Sequence, residues 1–440
     1  MGSNNSPNYG FNTICVRSGY QPGKGEPVVP PIVASSTYRY ETTEQVHELF
    51  DLQEQGFFYS RIDNPTVAVV EKRVAELEGG VGALMTSSGQ AATLLTILNI
   101  AGAGDHLVAT QSMYGGSINL MQHRLSNLGI ATTFLDNDVS AEELASAIQP
   151  NTVALFGETL SNPTLRLLDI PRWAQVAHKH HLPLIIDNTF PTPYFCRPFQ
   201  LGADIVTHSS TKYLDGHALQ ISGLIVDSGN FDWKLAYQTH GHFAGLIEPD
   251  VSYKGISYVN FFGKIAFIVK ARTQLMRDFG STASPFSAFL LGNGLQTLSL
   301  RMQRHYENAL QIATVLERHQ QVASVNFPAL PGNRYHKLAQ QILPNGCSGV
   351  LSFIVKGANP EAERANAGRV INALKLINIE VNVAEIRSCM LHPATSTHRQ
   401  MSIEELQLAG IEPGLLRLSV GLEDVADIQA DLLQALAVLE

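Results

Sequence analysis

The chain has 440 residues, of which 45% are hydrophobic and 16% are charged, and it carries a formal net charge of −9 at pH 7. This composition excludes a disordered chain and is typical of a globular protein large enough for more than one domain. The acidic balance provides no basic field for nucleic acid or an anionic membrane, so we expect neither as a partner. An anionic ligand would have to be held by a local group of donors.

Cysteine usage and the first residues indicate the compartment. The cysteines lie far apart in the sequence and form no CxxC pair, a usage typical of reduced thiols; they are Cys15, Cys196, Cys347 and Cys389. The opening residues MGSNNSPNYG contain no apolar signal segment, and no run approaches the roughly 18 apolar residues of a membrane span. We therefore expect a cytoplasmic protein. No residue spacing indicates a metal site.

The first part of the chain is predicted to be irregular. Residues 1–60 are rich in Pro, Gly, Ser and Thr, as in QPGKGEPVVPPIVASSTYRY, and this composition favours an arm that packs on another surface. The next segment, NPTVAVVEKRVAELEGG, predicts a helix. Asn64 can cap its first turn, Pro65 fits that turn and Gly79 ends it.

Short β-rich runs then alternate with helical segments. The runs are GALMTS, HLVAT, TTFL, VALFGETL, LPLIIDN, ADIVTHS and GLIVDS. This alternation predicts an α/β fold in which a mostly parallel seven-stranded sheet carries helices on both faces. Ligands of such sheets bind beyond the carboxyl ends of the strands. We assign residues 61–256 to this large domain.

After residue 256 the pattern changes to long helices. In GLQTLSLRMQRHYENALQIATVLERH the apolar positions share one helical face; they are Leu295, Leu298, Met302, Ala309, Ile312 and Leu316. Two strand-like runs, GVLSFIVK and GLLRLSVG, and the helical segment DVADIQADLLQALAVLE complete the chain. We assign residues 257–440 to a smaller C-terminal α/β domain.

Polar residues follow two of the predicted strands. The turn after GALMTS places Ser88, Gly89 and Gln90 at a helix N-terminus, whose free backbone N–H groups suit a phosphate. A Ser-Gly turn alone is often only a helix cap. Asp187 follows the apolar run LPLII, where an ionised carboxylate costs free energy unless it meets a cation or donors. Helix capping is the alternative role for this carboxylate.

A third strand end, in HSSTKY, carries Ser209, Thr211 and Lys212. A lone lysine there would ordinarily be a solvated surface group. Together with Asp187, however, these residues suit a cofactor with a phosphate, a basic ring nitrogen and an aldehyde, which is pyridoxal 5'-phosphate (PLP). The hydroxyls would bind the phosphate, the carboxylate would keep the ring nitrogen protonated, and the amine would bond to the aldehyde. A dinucleotide is less favoured, since no strand is followed by GxGxxG.

A series of segments in one order along the chain carries a family resemblance. They are YSRIDNPT, SSGQAA, YGG, SNPT, DNTFPTP, HSSTKYLDGH, LHPATSTH and RLSVGLED. The chain thus resembles the Cys/Met-metabolism family of PLP-dependent enzymes. The resemblance implies a PLP-dependent transferase of fold type I, the aspartate aminotransferase-like fold, in agreement with a large and a smaller α/β domain.

The resemblance assigns roles to further residues. Tyr114 in MYGG matches the aromatic residue that stacks on the cofactor ring and takes part in catalysis beside the lysine. Asn162 in SNPT matches a residue that bonds to the phenolic oxygen of the cofactor. Tyr59 and Arg61 in YSR match a pair that reaches the phosphate of a neighbouring subunit. The resemblance also places Asn162, Tyr59 and Asn382 beside the substrate.

If Tyr59 and Arg61 complete the site of a neighbour, the arm of residues 1–60 contacts that subunit and a homodimer is the catalytic unit. The family usually forms homotetramers. Arg417 is supported by a separate pattern: in LLRLSVG the period of two directs Arg417 away from Leu416 and Leu418. An arginine that faces the cleft can bind a substrate carboxylate with two hydrogen bonds, the use that the family makes of it.

Local segments such as DSGNFDW, EPDVSYKG and NVAEIRS resemble the sulfhydrylase branch of the family. We therefore expect a γ-replacement in which O-acetyl-L-homoserine and sulfide give L-homocysteine and acetate. Cystathionine γ-synthase and methionine or cystathionine γ-lyase activities are the alternatives, although methionine γ-lyases tend to carry a cysteine where Gly116 stands. The segments HALQISG and AEI, and Gln90, depart from usual choices near the substrate. A non-catalytic interaction protein on this fold is a distant alternative.

Overall fold

The structure is a computed structural model that describes residues 9–397, 399 and 410–440. Residues 1–8 of the expected arm lie outside the described residues, and so does His398, the last residue of the segment LHPATSTH. None of the helices in the described ranges combines the length and the apolar character needed to span a membrane.

Seven strands form one sheet at the centre of the large domain. They are β1 (Gly82–Thr86), β2 (His106–Thr110), β3 (Ala131–Leu135), β4 (Thr152–Glu158), β5 (Leu184–Asp187), β6 (Ile205–Ser209) and β7 (Gly223–Asp227). Their order across the sheet is β1-β7-β6-β5-β4-β2-β3. Strand β7 is antiparallel to both of its neighbours, and the remaining pairs are parallel. The predicted seven-stranded, mostly parallel sheet is therefore confirmed.

Both faces of this sheet are buried, because successive residues of a strand enter different hydrophobic clusters. In β5, Leu184 and Ile186 pack into one cluster and Ile185 packs into the other. Near-continuous apolar runs are what a parallel sheet covered on both faces requires. The helices of this part of the chain are α1 (Phe11–Arg17), α2 (Thr43–Phe50), α3 (Pro65–Glu78), α4 (Gly89–Leu98), α5 (Gly115–Asn119), α6 (Ala141–Ser146), α7 (Ile170–Lys179), α8 (Thr192–Phe195), α9 (Trp233–His240) and α10 (Ala244–Ile247).

Helix α3 begins and ends as its sequence predicts. The Asn64 side chain accepts a hydrogen bond of 2.9 Å from the backbone N–H of Thr66, which satisfies one of the free donors of the first turn. Pro65 is the first helical residue. Gly79 ends the helix with φ +82°, a left-handed conformation that glycine adopts without strain.

A second, five-stranded sheet lies in the C-terminal part of the chain. It contains β8 (Val322–Asn326), β9 (Val350–Val355), β10 (Asn378–Ile379), β11 (Cys389–Leu391) and β12 (Leu415–Ser419), in the order β10-β11-β12-β9-β8. The predicted runs GVLSFIVK and GLLRLSVG correspond to β9 and β12, which pair antiparallel. The smaller C-terminal α/β domain is thus present. Its strand β12 is central and carries Arg417.

The helices after residue 256 are α11 (Tyr258–Phe262), α12 (Ala266–Lys270), α13 (Arg277–Phe279), α14 (Pro285–Gln296), α15 (Leu298–Glu317), α16 (His336–Ile342), α17 (Pro360–Asn372) and α18 (Val425–Leu436). The segment GLQTLSLRMQRHYENALQIATVLERH, whose apolar positions are predicted to share one helical face, is divided at residue 297, where α14 ends and α15 begins. The carbonyl oxygen of Gly294 accepts a hydrogen bond of 2.8 Å from Arg301 Nη2, and the Thr297 hydroxyl also donates to it. The predicted apolar face of this segment is buried nonetheless.

The division between the two domains stays a prediction. Tyr258, Phe267 and Met276 pack into the hydrophobic cluster that covers one face of the large sheet, although they follow the expected boundary at residue 257. The second sheet begins only at Val322. The segment around α11 and α12 therefore belongs by packing to the large sheet.

The sheet brings one end of its strands to a common edge. Strands β2, β4, β5 and β6 run parallel, and β1 has the same direction because β7 is antiparallel to both β1 and β6. The segments that contain Ser88, Tyr114, Asp187 and Ser209 follow or end these strands. They therefore meet at the carboxyl edge of the sheet, where ligands of such folds bind.

The opposite edge of the sheet carries a buried carboxyl group at Asp227, the last residue of β7. Removal from water, and then the negative charge of Asp204, raise its pKa to about 7, although the backbone N–H of Gly229 donates to it. Its Oδ2 atom is buried without a hydrogen-bond partner among the described residues. Because the folded-state pKa is above the unfolded value, the stability from this group is lost as the pH rises toward and through 7.

We predict that Asp227→Asn raises the free energy of unfolding at pH 8 by about 1–3 kcal/mol relative to the unchanged protein, because it removes a buried charge. The gain should grow between pH 4 and pH 7 in denaturant titrations. Asp278→Asn, at a side chain that is 72% exposed, is the control and should show no such gain. If the free energy of unfolding of Asp227→Asn and of the unchanged protein varied with pH in parallel, the raised pKa of Asp227 would be contradicted.

Candidate active site

Lys212 lies in the turn that follows β6, with its amine at the cleft between the two sheets. The Nζ atom donates a hydrogen bond of 2.6 Å to Oδ1 of Asn382, which belongs to the small domain. Burial, and then the positive charge of Arg417, lower the pKa of this amine to about 8. Near pH 8 the neutral fraction of this amine is therefore much larger than that of an ordinary lysine, as a nucleophile or a base requires.

The hydroxyls that precede the lysine have different partners. Ser209 ends β6, and its backbone N–H donates 2.8 Å to the Thr189 hydroxyl. The Thr211 hydroxyl donates to the carbonyl oxygen of Ser222 and accepts from its N–H, both at 3.1 Å. Thr211 is thus tied to the segment that leads into β7, while the Ser209 side chain lies at the strand end.

The N-terminus of α4 lies against the end of β6. The Ser88 hydroxyl caps this helix by accepting a hydrogen bond of 3.1 Å from the N–H of Ala91. A Cβ atom at Gly89 would come within 2.7 Å of the Ser209 Cβ, so only glycine allows this approach. The predicted phosphate seat at residues 88–90 therefore adjoins Ser209, which follows a different strand of the sheet.

Asp187 ends β5 and is partly buried. Its Oδ1 atom accepts hydrogen bonds from the backbone N–H and the hydroxyl of Thr189, at 3.0 and 2.5 Å. Removal from water raises its pKa, while the Thr189 donors and the nearby His208 oppose the shift. Because Thr189 also accepts from Ser209, it joins the ends of β5 and β6.

Tyr114 follows β2, and its side chain is 49% exposed at the carboxyl edge of the sheet. Its backbone N–H donates 2.9 Å to Oε2 of Glu158. A Cβ atom at Gly116 would lie 2.4 Å from the Tyr114 ring and 2.7 Å from the Gln90 amide nitrogen. Because Gly116 has no side chain, the Tyr114 ring can lie beside the Gln90 amide.

Arg417 points from β12 toward the same cleft and is 5% exposed. Its Nη1 donates 3.1 Å to Oδ1 of Asn162, and its Nη2 donates 2.9 Å to the carbonyl oxygen of Asn382. Among the described residues its Nε has no hydrogen-bond partner, and burial lowers its pKa to about 10. A buried guanidinium with an unused donor suits an anionic ligand such as a carboxylate.

Tyr59 and Arg61 have contacts of a different kind. Arg61 lies over the Tyr59 ring at 5.1 Å and donates a hydrogen bond to the carbonyl oxygen of Arg277. Tyr59 is 40% exposed. Within the described chain, the hydrogen bonds and ring contacts of this pair do not reach the strand-end residues around Lys212.

Sequence reasoning missed three residues of the site. Glu158 is a buried carboxyl group at the end of β4, Thr189 joins two strand ends, and the Cys389 thiol lies 3.5 Å from the Asn382 carbonyl oxygen. The signal for Glu158 was present, because a glutamate ends the apolar run VALFGE just as Asp187 ends LPLIID. A cysteine in a buried strand carries no comparable signal.

The residues at the carboxyl edge fit PLP by their chemistry. A half-buried amine with a lowered pKa can bond to an aldehyde, and a partly buried carboxylate can hold a protonated ring nitrogen. The first turn of α4 offers backbone N–H groups next to the Ser209 hydroxyl. The buried Nε of Arg417, which has no partner among the described residues, remains for the carboxylate of an amino acid.

Comparisons with known proteins agree with this chemistry. The sequence pattern of the family described as Cys/Met metabolism PLP-dependent enzyme matches residues 12–437. A homocysteine synthase from Schizosaccharomyces pombe is 43% identical over 97% of this chain and 98% of its own length. An O-acetyl-L-homoserine sulfhydrylase from Leptospira meyeri is 41% identical over 98% of this chain and 97% of its own.

One solved structure carries the cofactor. It is a candidate O-acetylhomoserine (thiol)-lyase from Campylobacter jejuni with N'-pyridoxyl-lysine-5'-monophosphate at position 205 of that chain. Its fold matches with a TM-score of 0.92 at 34% identity, covering 98% of this chain and 100% of that one.

The fold and the site together define a PLP-dependent enzyme of fold type I. Two findings identify the family within this class of enzymes. The family pattern matches almost the whole chain, and full-length relatives are 41% and 43% identical to it. The chain belongs to the Cys/Met-metabolism family of PLP-dependent enzymes.

We predict that Arg417→Met raises the pKa of the Lys212 amine from about 8 toward the ordinary value of 10.5, because a positive neighbour is removed. The pH dependence of amine labelling at Lys212 in cofactor-free protein, read by peptide mass spectrometry, measures this pKa. Arg417→Lys keeps the charge and serves as the control. A labelling profile that does not move in Arg417→Met would contradict the electrostatic role of the arginine.

Proposed function

We propose that the protein catalyses a γ-replacement in which O-acetyl-L-homoserine and sulfide give L-homocysteine and acetate. The geometric observation that supports this proposal is that Asn382 accepts hydrogen bonds from both Lys212 and Arg417. This places a proton-transfer group and a carboxylate-binding group next to each other, as a reaction on an α-amino acid requires. The names of the full-length relatives support the acyl-homoserine and the sulfur chemistry.

Positions at the carboxyl edge of the sheet and the resemblance to the family support the following roles for the residues that would hold PLP. Lys212 would bond to its aldehyde, and Asp187 would face its ring nitrogen. The first turn of α4, at residues 88–90, would bind its phosphate together with Ser209 and Thr211. Tyr114 would stack on its ring and Asn162 would bond to its phenolic oxygen. When bound, PLP supplies an electron sink for negative charge that develops on the substrate carbon atoms.

The chain itself orients the substrate and moves protons. Arg417 would bind the α-carboxylate with its guanidinium group, whose Nε has no partner among the described residues, and this would fix the amino acid relative to Lys212. The neutral Nζ of Lys212, once free, would take the proton from Cα and pass it to the bound cofactor before it takes a proton from Cβ, because the amine holds only one additional proton at a time. In the structure this amine donates a hydrogen bond to Oδ1 of Asn382.

The overall reaction exchanges one bond at Cγ for another. The Cγ–O bond breaks and acetate leaves with its electron pair, and the Cγ–S bond forms with sulfide. Protons taken from Cα and Cβ by Lys212 return to the same atoms when the new bond has formed. The amino acid keeps its α-carboxylate and its amine, so that Arg417 can hold substrate and product alike.

We also propose that a second copy of the chain completes the site. Tyr59 and Arg61 are exposed in one copy and would reach the phosphate held by another, with a homodimer as the catalytic unit and a homotetramer as the assembly. We further propose that the protein is located in the cytoplasm. All four cysteines lie in the described part of the chain and are free, buried thiols, which suits a reducing environment.

Product analysis tests the reaction directly. With O-acetylhomoserine and sulfide we expect homocysteine and acetate as the main products. O-succinylhomoserine, and cysteine in place of sulfide, should be used more slowly. Cystathionine as the main product would favour a synthase, and release of 2-oxobutyrate without any thiol would favour a γ-lyase.

Lys212→Ala should abolish the visible absorbance of the holoprotein and lower turnover by orders of magnitude, because the bond to PLP and the proton-transfer group are both lost. Lys270 is a matched control, since it is buried, its pKa is also lowered to about 8, and its amine donates to the Asn99 carbonyl oxygen. Folded Lys270→Met should keep the visible band. A Lys212→Ala protein that retains both band and turnover would disprove the lysine assignment.

Mixed oligomers test the second copy. Equal mixing of inactive Arg61→Ala and Lys212→Ala subunits should restore about a quarter of the unchanged activity, since half of the random dimers carry one intact site of two. Mixing Asp187→Ala with Lys212→Ala is the control and should restore none, because both residues belong to one chain's site. No recovery in the first mixture would place Arg61 in the site of its own chain.

A further inference from the structure

Glu158 is a buried carboxyl group that the reaction described above does not use. It is the last residue of β4, it is 5% exposed, and it lies directly beside Asp187 in the register of β4 and β5. Its place at the carboxyl edge puts it next to the residues that would contact PLP. A carboxyl group at such a depth is costly unless hydrogen-bond donors satisfy it.

Two backbone donors satisfy this carboxyl group, and they come from different loops. The N–H of Tyr114, which follows β2, donates 2.9 Å to Oε2. The backbone N–H of Asn162, in the loop after β4, also acts on the Glu158 carboxyl group and lowers its pKa. One side chain therefore fixes the backbone of the two residues that would contact the ring and the phenolic oxygen of PLP.

The side chains of these two residues lead further into the site. Asn162 accepts a hydrogen bond of 3.1 Å from Arg417, so its position affects the arginine that would bind the substrate carboxylate. The Tyr114 ring is packed so closely on Gly116 that a Cβ atom there would lie 2.4 Å from it. A shift of either backbone would thus move the ring contact, the carboxylate grip or both.

The electrostatics of Glu158 and Asp187, which end β4 and β5, also suit a role for Glu158 as a hydrogen-bond acceptor. Burial, and then the negative charge of Asp187, raise the pKa of Glu158 well above its usual range. Asp187 accepts two hydrogen bonds from Thr189, which stabilise its ionised form. Both effects favour a negative charge on Asp187 over one on Glu158.

We propose that Glu158 is a positioning residue that holds the backbones of Tyr114 and Asn162 at the geometry needed to bind PLP and the substrate carboxylate. The inference rests on the proposed roles of Tyr114 and Asn162. It adds to them one residue that contacts neither substrate nor cofactor and acts through the two that do. Its removal should weaken cofactor binding and raise KM, in addition to any effect on folding.

The test compares Glu158→Gln and Glu158→Ala with the unchanged protein. Glutamine keeps one acceptor oxygen and presents an N–H group where the second was, so one of the two backbone donors loses its partner. We expect the dissociation constant for PLP, titrated into cofactor-free protein by visible absorbance, to rise about tenfold in Glu158→Gln and more in Glu158→Ala. KM for O-acetylhomoserine should rise by a similar factor, and the visible maximum should shift.

Asp431→Asn is the matched control for a purely structural effect. Its carboxylate holds the backbone N–H groups of Lys375, Leu376 and Ile377 in the small domain. This variant should lower the melting temperature of the cofactor-free protein and leave the dissociation constant for PLP unchanged.

The outcomes separate this inference from the proposed function. If folded Glu158→Gln binds PLP with the affinity and spectrum of the unchanged protein and differs only in melting temperature, the positioning role is wrong. The positioning role would be wrong in that case even if Glu158→Ala does not fold. Failure of the unchanged protein to bind PLP would instead overturn the cofactor site itself, and a different main product would overturn only the proposed reaction.

Discussion

The direction shared by six of the seven strands of the large sheet is the constraint on which the site depends. Because β1, β2, β4, β5 and β6 all end at one edge, segments more than a hundred residues apart in sequence meet there. The edge also collects polar groups in a region removed from water, where each group needs a partner. Thr189 between Asp187 and Ser209, and Glu158 between Tyr114 and Asn162, supply those partners. The hydrogen bonds that make the edge stable also set its geometry.

The second sheet contributes the positive charge that faces this edge. Arg417 and Lys212 are joined through Asn382, and their mutual repulsion helps to keep the lysine amine neutral. A carboxylate bound to Arg417 would offset part of that repulsion and make the amine a stronger base. The group that grips the substrate therefore also adjusts the basicity of the group that takes its protons.

Much of this arrangement could be predicted from the sequence, because it depends on local patterns. Apolar runs gave the seven strands, and capping residues gave the bounds of α3. Polar residues directly after strands pointed to Asp187 and Lys212. Features that depend on distant contacts could not be predicted. Arg301 donates a hydrogen bond to the Gly294 carbonyl oxygen near the end of α14, and the Thr211 hydroxyl donates one to the Ser222 carbonyl oxygen. The predicted roles of Tyr59 and Arg61 concern a second copy and stay predictions.

Gly116 has a consequence for the redesign of this enzyme. Its backbone lies so close to the Tyr114 ring that any side chain there must first displace the aromatic group. A thiol introduced at this position, in imitation of the methionine γ-lyases, would therefore change two features of the pocket at once. An engineer who wants the new sulfur without losing the aromatic stack would have to rebuild the whole turn from residue 114 to 116, and Gln90 with it.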